Sequence, residues 1–130
     1  MNLVIVQNLI ETEISTNWST TSIKWQNISF IEPNTAWISV DIKPGSADTT
    51  SLGANGKNQQ FGNVWINVFY PVGAVLSTML GYVDTLKGIL DRKCFAGGLQ
   101  FEAPQIMDIG ADEDDKWYQV SIRFPFYFFE

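Results

Sequence analysis

The residues from Phe61 to Gly73, FGNVWINVFYPVG, carry the clearest pattern in the chain. Val64, Ile66, Val68 and Tyr70 alternate with Asn63, Trp65, Asn67 and Phe69. Successive strand side chains project to opposite faces, so the first set predicts a core face. The second set mixes two amides with two large aromatics. Such a face is too polar for deep burial and too apolar for plain solvent, which points to contact with another element or another chain. Pro71 and Gly73 stop the strand.

The same reading extends in both directions. Leu3, Val6, Ile10 and Ile14 recur at helical spacing with Leu9 beside them, which predicts an amphipathic helix from about Asn2 to about Thr16. A polar turn at 17–22 leads to a short strand at Ile23–Trp25 and a looser extended piece over Ile28–Glu32. Ala36, Ile38, Val40 and Ile42 then alternate with Trp37, Ser39, Asp41 and Lys43, and Pro44-Gly45 is expected to end that strand. Pro44 to Gln59 holds almost nothing to bury and predicts a long hairpin loop.

After the central strand, Val75, Met79, Tyr82, Val83, Leu86, Ile89 and Leu90 predict a helix from about Val75 to about Cys94. Arg92 and Lys93 are expected in its last turn, with Gly97-Gly98 beyond. Gly81 and Gly88, seven residues apart on one flank, are expected to pack closely on the sheet. Leu99–Ile109 reads as extended and broken at Pro104. Ala111–Lys116 is an acidic turn, and Trp117 to Phe129 is the last strand, with Tyr118, Val120, Ile122, Phe124, Phe126 and Phe128 on one face. Pro125 cannot donate to a ladder, so the strand is expected to become an edge or leave the sheet there. The order predicts an α+β fold: an antiparallel-rich mixed sheet with two helices on one face and a long hairpin loop.

Composition narrows the classes. With 130 residues, 45% hydrophobic and 17% charged, the chain reads as one domain, 1–130, with a real core. A net charge of −6 with eight scattered Lys and Arg predicts no nucleic-acid binding. No apolar run approaches the ~20 residues of a membrane helix, and the first residues lack the regions of a signal peptide. The expectation is therefore a cytoplasm, or a particle assembled there. The single Cys94 fits a reducing compartment.

The chain contains no His. Ser-His and Cys-His pairs are excluded, as are His-containing zinc sites, so an enzyme is disfavoured. The acidic run Asp108–Asp115 offers oxygens to a hard cation but lacks the calcium-loop spacing, and reads as a solvated hairpin turn. Cys94 lies beside Lys93, yet without His it reads as a helix-end thiol near Phe95. No cofactor site emerges. Trp65, Phe69, Tyr127 and Phe129 are candidates for a subunit interface. The ending FPFYFFE is either core or partner surface.

Together, TAWISVDIKPG, the polar loop with GxxG spacing, FGNVWINVFYPVG, the long helix and DDKWYQVSIRFPF resemble the tail-terminator or tail-completion proteins of long-tailed bacteriophages, over nearly the whole chain. The most specific parts are Gly62–Gly73 and Trp117–Phe126. The resemblance implies a virion tail protein assembled in the bacterial cytoplasm. It implies a ring, typically a hexamer, at the head-proximal end of the tail tube, where it stops tube polymerisation and offers a surface for the head-tail connector. The partners would be further copies, the tube protein and a head-completion protein. The loop would order on contact with a neighbour, adding Lys57 and Asn58 to the interface. Two alternatives stay open: another virion role, as connector or tube subunit, and a small carboxylate enzyme or ligand-binding module.

Overall fold

The computed structural model describes residues 2–49 and 58–129. Helix α1 spans Leu3–Asn17, and strands β1 (Ser22–Trp25), β2 (Trp37–Thr49) and β3 (Asn58–Pro71) follow. Helix α2 (Leu76–Leu90) precedes β4 (Gln100–Phe101), β5 (Gln105–Ala111) and β6 (Trp117–Phe129). The strands form one mixed sheet in the order β1-β2-β3-β6-β4, with β5 also on β6. Only β1 and β2 run parallel. This is the α+β architecture that the pattern predicts.

Each helix begins and ends for local reasons. The Asn2 side chain accepts the Ile5 N–H at 3.0 Å, satisfying a donor that the first turn of α1 leaves unpaired. Gly73, with φ +88°, turns the chain out of β3 and towards α2. Helix α2 stops at Leu90, earlier than predicted, because Arg92 takes a left-handed φ of +50°. Arg92 and Lys93 therefore lie past the helix, and Cys94 is exposed in a bridge to Gln100 rather than at a helix end.

The core lies between the helices and one sheet face. Val6, Ile10 and Ile14 of α1 and Met79, Val83, Leu86, Ile89 and Leu90 of α2 are buried. They meet Ile38, Val40, Val64, Ile66, Val68, Ile122, Phe124, Phe126 and Phe128 in one apolar cluster. Residues just beyond each helix also tie it to the other. Trp18 packs edge-on against Tyr82 with centroids 5.6 Å apart, and Lys93 pairs with Glu13.

Four sequence expectations are corrected. Pro44-Gly45 does not end β2. The strand continues to Thr49 through a bulge between Pro44 and Ala47, where the Gln60 amide donates to the Gly45 carbonyl at 3.0 Å. The predicted loop shrinks accordingly, and residues 50–57, including Lys57, lie outside the described residues. Gly81 and Gly88 do not pack closely: a Cβ on either would meet nothing within 4 Å. Pro125 is not at an edge. It pairs with Asn63 of β3 while its carbonyl accepts the Glu102 N–H at 2.9 Å on the other side. N–H and C=O of a strand residue point the same way, so the missing donor faces the gap between β4 and β5 and costs β3 no bond.

Candidate interaction surface

Both helices cover the same side of the sheet. The other side, the outer face, carries the odd-numbered residues of β3 and β6. Register places Asp41, Trp65, Arg123 and Gln105 in one row across β2, β3, β6 and β5. The next row is Ser39, Asn67, Ser121 and Met107. In the opposite direction come Lys43, Asn63 and Pro125.

One corner of this face is roofed. Parallel pairing of β1 with β2 requires a long return connection, and residues 26–36 provide it. Phe30 lies against Trp37 with centroids 5.1 Å apart. Glu32 accepts from the Trp117 indole N–H and pairs with Lys116 at 2.9 Å. Those two bonds, the Lys116 one first, hold the Glu32 carboxyl below the usual carboxylate range. Beneath this strap Trp37 and Trp117 are 7% and 6% exposed, and Phe69 stacks on Trp37 at 4.1 Å.

Beside the roofed corner lies a polar cluster. Asn67 donates to the Ser39 hydroxyl at 3.0 Å and accepts from the Ser121 hydroxyl at 2.6 Å. Gln119 donates to Ser121 at 3.2 Å. The two amides that interrupt the apolar pattern of the sequence are thus partly explained. Asn67 joins three strands through its side chain, which fixes their register on a face that burial does not specify.

Beyond this cluster no described helix or strand covers the face. Trp65 is half-buried and has no aromatic partner among the described residues. Arg123, opposite it on β6, donates through Nη2 to Gln105 at 2.7 Å. Its Nε is buried with no hydrogen-bond partner among the described residues, as is Nε1 of Trp37. A buried unpaired donor costs roughly 1–3 kcal/mol, so such groups call for an explanation. Further along, Tyr127 lies 6.1 Å from Phe61 and 6.2 Å from Phe129 between ring centroids, and its hydroxyl donates to Gln100 at 2.5 Å.

The structure therefore places Trp65, Phe69, Tyr127 and Phe129 on one face, as strand parity predicts. They form no single cluster: Phe69 belongs to the roofed corner, Trp65 to the open middle, and Tyr127 and Phe129 to the far end. Asn58 pairs with Thr49 and is exposed, and alternation along β3 turns it to the helix side. The ending FPFYFFE divides. Phe124, Phe126 and Phe128 are buried core, while Phe129 is exposed.

What this face offers is aromatic rings and side-chain hydrogen-bonding groups. The acidic turn after β5 is a hairpin turn whose Asp112 carboxylate accepts the backbone N–H of Lys116 at 2.8 Å and of Trp117 at 3.3 Å. Among the described residues no group of three or more His, Cys, Asp or Glu is arranged to hold a metal ion. No described helix is long and apolar enough to cross a membrane.

No protein-family model matches the chain, and no curated protein sequence does. A solved structure is similar to it. That protein is 17% identical, matches over 94% of each chain and superposes with a TM-score of 0.66. Likeness at that identity establishes a shared fold across nearly the full length and leaves function to be argued from this chain's own surface.

Arg123, Trp37, Trp117 and Glu32 were not singled out from sequence as site residues. Parity puts the first three on the same face as Trp65. Glu32 gives no local signal, because its role depends on where the 26–36 connection crosses.

Proposed function

We propose that this chain is a non-enzymatic structural subunit of a bacteriophage tail, of the tail-terminator or tail-completion type. In this reading copies of it close a ring, of about six subunits in the family that the sequence resembles. The ring caps the tail tube and presents a surface to the head-completion protein. The observation that carries the reading is the outer sheet face, with Trp65 half-buried and no described helix or strand over it. A solvent-facing sheet side is ordinarily polar. Aromatic and Arg side chains without a covering layer are the composition of a protein interface.

The absence of His from the chain agrees with recognition rather than catalysis. So does the engagement of the Asp112 carboxylate in its own turn. The decisive experiment is electron microscopy of particles from a virus or prophage lacking this gene. Overlong tails detached from filled heads are expected. Filled heads without tails would point to the tube subunit instead, and normal infectious particles would overturn any virion role.

A further inference from the structure

We infer that Arg123 anchors a contact between copies of this chain, in which the outer sheet face of one copy receives the acidic β5–β6 turn of the next. The inference rests on the reading that this face joins subunits.

Arg123 is prepared for a carboxylate and lacks one. Its Nη2 is held by Gln105 at 2.7 Å, its Nη1 is neither buried nor hydrogen-bonded among the described residues, and no carboxylate among them pairs with it. A guanidinium offers its donors as a planar fork that matches a carboxylate edge. Trp65 of β3 stands directly opposite Arg123 in the strand register, on the same face.

Charge points to an acidic occupant. Register and alternation put Lys24, Lys43 and Arg123 on the outer face, against Asp41 and Asp48. That is a net positive face on a chain of net charge −6. The densest acidic segment is Asp112-Glu113-Asp114-Asp115, and all four residues are exposed. Asp112 is spent on its own turn, where it accepts the Lys116 N–H at 2.8 Å, and Lys116 is drawn off to Glu32. Glu113, Asp114 and Asp115 are left on a turn held by the Asp112 N–H to Trp117 C=O bond at 2.9 Å and the Asp115 N–H to Asp112 C=O bond at 3.1 Å. A turn already fixed in shape loses little freedom on docking.

The turn cannot reach Arg123 of its own chain. It sits before Trp117, six strand residues from Arg123, or about 20 Å at the rise of a strand. The pairing must then join two molecules, and it joins unlike patches. Such a heterologous contact propagates from copy to copy and closes a ring when the rotation allows.

Sedimentation velocity of the full chain tests this at low and high salt. The wild-type chain is expected to associate with rising concentration, less so at high salt. Arg123→Glu should weaken association at least tenfold, and so should Glu113→Lys with Asp114→Lys. The three changes in one chain should restore it. The turn substitutions lie at exposed positions, so they decide the matter even if Arg123→Glu fails to fold. Three results overturn the inference: association indifferent to the turn substitutions, association indifferent to Arg123→Glu in a folded chain, or a wild-type chain monomeric at millimolar concentration. A loss with Arg123→Glu alone would mean that the face takes some other acidic segment. None of these outcomes decides the tail-terminator reading, which stands or falls on the particles lacking the gene.

Discussion

The indole of Trp37 lies nearly flat on the ring of Phe69, with centroids 4.1 Å apart and 13° between the planes. The same indole meets Trp117 edge-on at 6.0 Å. Phe69 is thus part of a packed aromatic corner, whereas Trp65, four residues earlier on the same face, has no ring partner. The two residues should behave differently. Phe69→Ala is expected to cost about 2 kcal/mol of folding stability, since it removes a half-buried stacked ring. Trp65→Ala should cost less than about 1 kcal/mol and should act on association instead. Urea denaturation beside sedimentation of the same two variants separates the roles. Equal losses of stability would remove the distinction.

Gly62 has a packing reason to be Gly. A Cβ there would lie 2.6 Å from Cζ of Phe126 and 3.0 Å from the Lys43 carbonyl oxygen. The ring occupies the space that a side chain would need. Gly62→Ala should destabilise the fold by about 1–3 kcal/mol through overpacking. Adding Phe126→Leu should recover part of that loss, a coupling that a double-mutant cycle would read directly.

The helical glycines are a different case. Nothing stands near Gly81 or Gly88, so Ala at either position fills open space and gains helix propensity. Each substitution should stabilise the protein by roughly 0.5–1 kcal/mol. A thermal melt showing a rise of a few degrees would agree. A fall at either position would mean that the flank of α2 meets something in the free protein.

Acid should loosen the strap over the aromatic corner. Lys116 and the Trp117 indole favour ionised Glu32 in the folded chain and lower its pKa. A group so lowered contributes stability that is complete above the ordinary carboxylate range and is lost as the pH falls through the folded value. Tyr118 is the mirror case. The Asp108 carboxylate accepts its hydroxyl and raises its pKa, so that contribution holds below the ordinary tyrosine range and is lost as the pH rises through the folded value. Tryptophan fluorescence followed from neutral to acid pH should report the first effect, and Glu32→Gln should abolish it. An unchanged acid transition in that variant would assign the transition to other carboxylates.

Both faces of the sheet were legible in the sequence because period-two alternation survives through β3 and β6 without interruption. Strand ends were not. Pro44-Gly45 reads as a stop, yet Gln60 supplies the hydrogen bonds that let β2 continue through a bulge, and nothing near Pro44 announces that distant side chain. Pro125 reads as an edge because a sequence does not show which side of a strand its missing donor faces. The glycines of α2 misled for a related reason: spacing gives a flank but not what stands opposite it. For the candidate surface, parity placed Trp65 with Arg123. The strap that Glu32 anchors depends on a contact between segments 85 residues apart, the bond from Trp117 to Glu32, and the unpaired Nε of Arg123 on packing that parity does not show.

The sheet's second axis of order is time. Strand β6 pairs with β3 along its full length on one side and with β4 and β5 on the other, yet it follows all of them in the chain. During synthesis β1, β2 and β3 can form a partial sheet, but β3 then shows an open apolar margin until Trp117–Phe129 leaves the ribosome. Strands β4 and β5 have no partner strand before that moment, and helix α2 has α1 and β3 to pack on but not β6. Closure of this sheet is therefore a late, long-range event of the kind that makes folding slow. A ribosome paused ahead of β6 would hold a chain that is sticky rather than half-finished and safe, so the nascent protein depends on its last strand for solubility as well as for its core.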